Sequence, residues 1–288
     1  MMRTISSQLA MQLGGEPPAT IAWSRTLITL IDRLDSDLID DSPVIPWACP
    51  VPSFGDLSTS VVATVGLNPS NREFMDESGQ ELQGGLRRFP TLSSLDLRRW
   101  ADVHAGHLRQ IIEACRSYFS GRPYLTWFNK LNEVVAGAQA SYFDADHGAC
   151  HVDLIPYATS RKWTELSARE RSRLLTSSGD ALGCLLRDSS IRVLVLNGAS
   201  VVKGFQDAAG LRLDRQEIQA WSLARGSSGP VSGFSVRGTV DTLFGTSLGR
   251  EVLVLGFNHN LQSSFGVNRE VVIAIRSWIA RSAQEAFG

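Results

Sequence analysis

Apolar residues recur along this chain in two rhythms. Residues 18–38 carry them at helical spacing and predict a leading helix. Residues 41–56 hold four prolines and read as an irregular connection. Four short apolar runs follow: SVVATVGL (60–67), CHVDLIPY (150–157), IRVLVLNG (191–198) and REVLVLGF (250–257). Their length and β-branched content predict strands buried on both faces. Helical spacing returns at 92–119, as one long helix or two shorter ones, at 124–138, at 164–187 and at 268–286. The third of these opens with a capping-box pattern at Ser167 and Glu170, and the last has an apolar stripe of Val271, Val272, Ile275, Trp278 and Ile279. Residues 225–233 (RGSSGPVSG) read as a flexible loop, and FSVRGTV at 234–240 as an extra edge strand.

Strands alternating with helices predict an α/β fold: three layers, α/β/α, around a mostly parallel four-stranded sheet. The expected organisation is a single domain over 1–288, with an N-terminal helical extension over about residues 1–55. In open sheets of this kind ligands bind beyond the carboxyl ends of the strands. Here those ends carry polar residues. The first has Gly66, Leu67, Asn68, Pro69 and Ser70. The second has Asp153, with Thr159, Ser160 and Arg161 beyond it. The third has Asn197, Gly198 and Ser200, and the fourth has Asn258, His259, Asn260, Leu261, Gln262, Ser263 and Ser264. Any one of these is an ordinary turn former. Four strand ends bearing amides, hydroxyls, a carboxylate and a histidine together mark a candidate site.

Composition narrows the classes. Over 288 residues the chain is 43% hydrophobic and 20% charged, with a net charge of −1. That argues against a non-specific nucleic-acid coat but leaves local basic patches open. The four cysteines form no CxxC pair, so neither a zinc ribbon nor an iron–sulfur cluster is expected, and no metal or cofactor is assigned. No signal-like or membrane-length apolar run occurs, and the expectation is a reduced, cytoplasmic, soluble protein, monomeric and without a membrane partner. Neither GxGxxG nor a P-loop is present. GTSLG (245–249) lacks the strand–turn–helix context of a nucleophile elbow, so Ser247 reads as a turn residue. His104 and His107 read as solvated helix residues, and Asp144, Asp146, His147 and His151 as a polar loop.

GLNPS at 66–70 resembles the first motif of the uracil-DNA glycosylase superfamily, nearest the GINPG form of its mismatch-specific branch. HNLQSS at 259–264 resembles the second motif, in which a histidine precedes Pro-Ser-Pro-Leu-Ser or Pro-Ser-Gly-Leu. The resemblance spans about residues 61–278 and rests on these two short motifs. It implies a DNA partner and a base flipped into a pocket, where its N-glycosidic bond is hydrolysed. It further implies that Asn68 positions the attacking water and His259 stabilises the departing base, with Gly66, Leu67, Pro69, Ser70, Phe89, Asp153 and Asn197 lining the pocket. Arg72, Arg161, Asn260, Leu261, Gln262, Ser263 and Ser264 would then face DNA, joined by Arg87, Arg88 and Lys162 as candidate backbone contacts.

Two departures shape the expectation. The second motif lacks its proline and serine, leaving Leu261 as first candidate for the base-displacing wedge. Ser70 stands where uracil-strict relatives carry a tyrosine that blocks the pyrimidine 5-carbon, unless Phe74 or Phe89 fills that space. An open pocket suits an enlarged base such as a 5-substituted cytosine, which some members of the superfamily remove from phage DNA as an antiviral defence. Uracil or mismatch repair, a catalytically silent DNA-binding or nucleotide-binding module, and a nucleoside hydrolase stay open as alternatives.

Overall fold

The computed structural model describes residues 18–35, 42–144, 148–224, 229–262 and 267–287. Its strands are β1 (Val62–Gly66), β2 (Ala149–Asp153), β3 (Val193–Asn197), β4 (Asp214–Glu217), β5 (Phe234–Leu243) and β6 (Thr246–Phe257). β1, β2 and β3 are buried at every position; β1 and β3 read as near-continuous apolar runs, whereas β2 sets His151 and Asp153 between apolar residues. They run parallel with β6 in the order β2-β1-β3-β6, and the register sets Gly66 beside Asp153 and Asn197 beside Phe257.

The sheet has six strands rather than the expected four. β5 pairs antiparallel with β6, and β4 adds antiparallel at the edge. Hydrophobic rhythm misses β4 because all four of its residues (DRQE) are exposed, and such charges discourage further edge pairing. The β5–β6 hairpin turns through Phe244 and Gly245, with φ of 51° and 77°, the double positive φ of a tight two-residue connection. Ser247 therefore lies in β6 opposite Thr242, not in the turn.

The described α-helices are α1 (Pro18–Leu34), α2 (Ala105–Arg116), α3 (Leu125–Val135), α4 (Ala168–Arg187), α5 (Ala199–Ala209) and α6 (Arg269–Phe287). Helices α4 and α5 pack together on one face of the sheet, and α3 and α6 on the other. Residues 92–104, expected as helix, form short 3₁₀ turns instead, interrupted by Asp96 in the left-handed region. α2 starts only where His104 caps it. His104 Nδ1 accepts the Gly106 N–H, His107 Nδ1 accepts the His104 N–H, and the two rings stack at 3.6 Å. The pair forms the helix cap, with His104 exposed, as expected, and His107 half-exposed. At α4 the expected capping box forms, with the Glu170 N–H donating to Ser167 Oγ and the Ser167 N–H to Glu170 Oε2.

α1, within the expected N-terminal helical segment, packs into the core. Trp23, Leu27, Leu30 and Ile31 are buried, and the Tyr157 hydroxyl donates to the Leu30 carbonyl at 2.8 Å. Residues 42–56 are irregular, as expected, yet are pinned by bridges from Val44 to Thr159 and from Phe54 to His151. Pleating then sorts the site. Thr64, Gly66, His151 and Asp153 share the α3 face, while Leu67 and Leu154 face α5. Among the described residues, no helix is long and apolar enough to cross a membrane.

Candidate active site

The first strand end is built around a missing side chain. A Cβ on Gly66 would lie 2.3 Å from Asp153 Oδ1 and 2.9 Å from His151 Nε2, so the two polar groups of β2 occupy the space that glycine leaves. His151 lies in buried strand, not in the polar loop expected for it; Asp146 and His147 lie outside the described residues. Its Nε2 is 3.3 Å from Asp153 Oδ1 and its Nδ1 is 2.7 Å from Thr64 Oγ1, which is 2.5 Å from the Tyr142 hydroxyl. The four side chains form one continuous hydrogen-bonded row, Tyr142–Thr64–His151–Asp153, whose proton direction follows the tautomer of His151. Burial holds the Tyr142 phenol well above its ordinary range, keeping it a donor.

Asn68 follows on the loop, half-buried. Its Nδ2 donates to Thr159 Oγ1 at 3.0 Å and to the Pro69 carbonyl at 3.1 Å. Thr159 spends its own proton on the Arg161 carbonyl at 2.7 Å, so its oxygen can only accept from Asn68, and this fixes which way the amide points. Asn68 Oδ1 is left without a hydrogen-bond partner among the described residues. Pro69 is buried, whereas Ser70 is exposed and caps the 3₁₀ turn Asn71–Glu73 through the Arg72 N–H.

That turn delivers Glu73 into the interior, 3% exposed. The Tyr118 hydroxyl lies 3.0 Å from each of its carboxyl oxygens, and Arg88 Nε is 3.8 Å from Oε2. Burial pushes the Glu73 carboxyl up to about 7, against the pull of Arg88 and the Tyr118 hydrogen bond and with a small push from Asp153. Arg88 also donates to the carbonyls of Arg72 and Arg122, and Tyr118 accepts the Tyr124 N–H. One buried carboxyl thus ties the Asn68 loop to the start of α3.

At the third strand end Asn197 is 7% exposed, its Nδ2 donating to Gln262 Oε1 at 3.2 Å. Its Oδ1 is buried with no hydrogen-bond partner among the described residues. Gln262 in turn donates to the Trp127 carbonyl, and Trp127 packs its ring edge-on to His151 at 4.8 Å. The fourth end is more closed. His259 is 4% exposed and its Nε2 lies 2.5 Å from the Trp221 carbonyl, an acceptor that requires the proton on Nε2. Asn260 is exposed and accepts the Gln262 N–H, whereas Leu261 is 1% exposed and its carbonyl accepts from Lys130.

The structure therefore gathers Gly66, Asn68, Asp153 and, through Gln262 and Trp127, Asn197 around the carboxyl edge of the sheet. Leu67 sits on the opposite face, against α5. Phe89 is 1% exposed and stacks on Tyr118 at 5.3 Å inside a cluster with Phe54 and Phe74, which makes it part of the core. Of the expected DNA contacts, Arg72 is half-exposed, while Arg161 is ion-paired with Glu170. Ser263 and Ser264 lie outside the described residues. Sequence reasoning missed Glu73, Trp127 and the Thr64–Tyr142 link. The i, i+2 spacing of His151 and Asp153 beside Thr64 and Gly66 was the available signal.

An 810 Å³ cleft between α4 and α5 lies on the far face, lined by Trp163, Arg171, Lys203 and Phe244, and does not include Asn68 or His259. Among the described residues, no group of three or more His, Cys, Asp or Glu side chains is placed to hold a metal ion. No protein-family model and no curated protein matches this chain.

Proposed function

We propose that this protein is a monofunctional DNA glycosylase that hydrolyses the N-glycosidic bond of a flipped-out, enlarged pyrimidine, with a 5-substituted cytosine of phage DNA as the favoured substrate. The observation that carries the reading is Asn68, whose amide nitrogen is anchored on Thr159, which leaves its carbonyl oxygen without a hydrogen-bond partner among the described residues. An oxygen held in this way orients a water for attack on C1′. The C1′–N bond breaks as the C1′–O bond forms, the base leaves with the bonding pair, and the water's proton ends on the base. Asn197 Oδ1, without a partner among the described residues, suits an N–H donor on that base, such as an exocyclic amine. Exposed Ser70 sets no aromatic wall beside a 5-substituent. His259 would have to exchange the Trp221 carbonyl for the base before donating its Nε2 proton.

That engagement of His259 favours a second reading, a silent DNA-binding module of the same fold. Incubation with oligonucleotides carrying uracil, a thymine mismatch or 5-substituted cytosines, followed by alkali, separates the two. The glycosylase reading expects alkali-labile sites at an enlarged base. Duplex binding without strand scission at any of them favours the silent module.

A further inference from the structure

A protein that turns a base out of a duplex must fill the gap it opens, and an apolar side chain inserted into the stack does this at a cost of a few kcal/mol of unstacking. Leu261 cannot reach a duplex in this structure. It is 1% exposed, its carbonyl is tied to Lys130, and the next residue is clamped between Trp127 and Asn197. Two large apolar side chains do stand out of the surface beside the site. Tyr124 is 38% and Leu125 is 50% exposed, adjacent in sequence at the first turn of α3.

That turn is held from both sides by the loops that carry the candidate chemistry. On one side the Tyr124 N–H donates to Tyr118, whose hydroxyl holds Glu73 of the Asn68 loop. On the other side the Trp127 carbonyl accepts from Gln262, three residues beyond His259. Arg88 bridges the carbonyls of Arg72 and Arg122, which ties the Asn68 loop to the exposed Arg122, two residues before Tyr124. Exposed apolar residues at a helix start, with an exposed arginine just before them and the site behind them, have the composition of a wedge against a phosphate-bearing duplex.

We infer that Leu125, with Tyr124 beside it, is the wedge that enters the DNA stack when the base leaves it. The inference rests on the glycosylase reading for its purpose but is testable without catalysis. A duplex with 2-aminopurine next to a uracil or a 5-hydroxymethylcytosine reports unstacking by fluorescence, and base release is followed on the same sequence as duplex and as single strand. The parent protein should raise the fluorescence. Leu125→Ala should abolish most of that rise and slow release from duplex by about tenfold or more, leaving single-strand release unchanged, and Leu125→Met should restore both. Because Leu125 is half-exposed, truncation leaves the core intact. Fluorescence without base release would sink the glycosylase reading and keep the wedge. No rise with the parent, or a rise and a duplex rate that Leu125→Ala and Tyr124→Ala leave untouched, would overturn the wedge. So would a concentration-dependent dimer abolished by Leu125→Ala with unstacking retained, since the patch would then seat a second copy.

Discussion

Replacing Glu73 by glutamine should make the protein more stable in alkali and leave it nearly unchanged in acid. Burial holds the Glu73 carboxyl at about 7 against an ordinary 4.5, so the fold prefers its neutral form. Below pH 4.5 the group is protonated in both folded and unfolded chains, and its contribution is fully present. Between 4.5 and 7 the unfolded chain ionises first, and the contribution drains away. Above 7 the loss is complete, at roughly 3 kcal/mol for a gap of this size. Glutamine is neutral throughout and keeps an oxygen for the Tyr118 hydroxyl, so it escapes that penalty. The attraction to Arg88, 3.8 Å away, already lowers the carboxyl to that value of about 7, so the expected gain at high pH is the net figure of about 3 kcal/mol. The assay is urea unfolding of parent and variant at pH 4.5 and pH 8.5. Titration of every other group then cancels in the variant-minus-parent difference. A stabilisation at pH 8.5 that vanishes at pH 4.5 is expected. Equal differences at both pH values, or a variant weaker than the parent at pH 8.5, would refute the reasoning and make the charged Glu73–Arg88 pair the dominant effect.

Thr159→Val removes the acceptor that orients the Asn68 amide, and should lower the single-turnover rate by about tenfold while leaving DNA affinity within about twofold; an unchanged rate would separate the anchor from the chemistry. Ser70→Tyr should suppress release of a 5-substituted cytosine far more than release of uracil, and a panel on which uracil is the only base released, with the variant no different, would remove the open-pocket argument. His259→Ala should cost roughly 10²-fold in rate if the ring trades Trp221 for the base, whereas a parent-like rate with a lower melting temperature would make His259 a structural tie.

The parallel strands and the Asn68 end were legible because burial on both faces forces long apolar runs, and because a glycine followed by an amide at such a run's end breaks that pattern visibly. β4 was not, since a charged edge strand has no apolar rhythm to read. Residues 92–104 carry helical spacing but turn left-handed at Asp96, a backbone choice that spacing does not encode. Glu73 sits between Arg72 and Phe74 and looks like a solvated loop acid. Only the fold brings Tyr118, 45 residues away, onto its carboxyl. Leu261 shows the opposite failure. A leucine amid polar residues reads as exposed and available, yet packing takes it inside. Motif position located the loop, and tertiary contacts decided what each side chain in it could touch.

The central claim is that an oriented Asn68 directs water onto a glycosidic bond in DNA, and single-turnover base release by the parent and by Asn68→Ala on the same duplex tests it most directly. The account predicts release by the parent from at least one duplex carrying an enlarged pyrimidine, and a loss on the order of 10²-fold or more in the variant, with DNA binding nearly intact. Equal rates for the two proteins would contradict it.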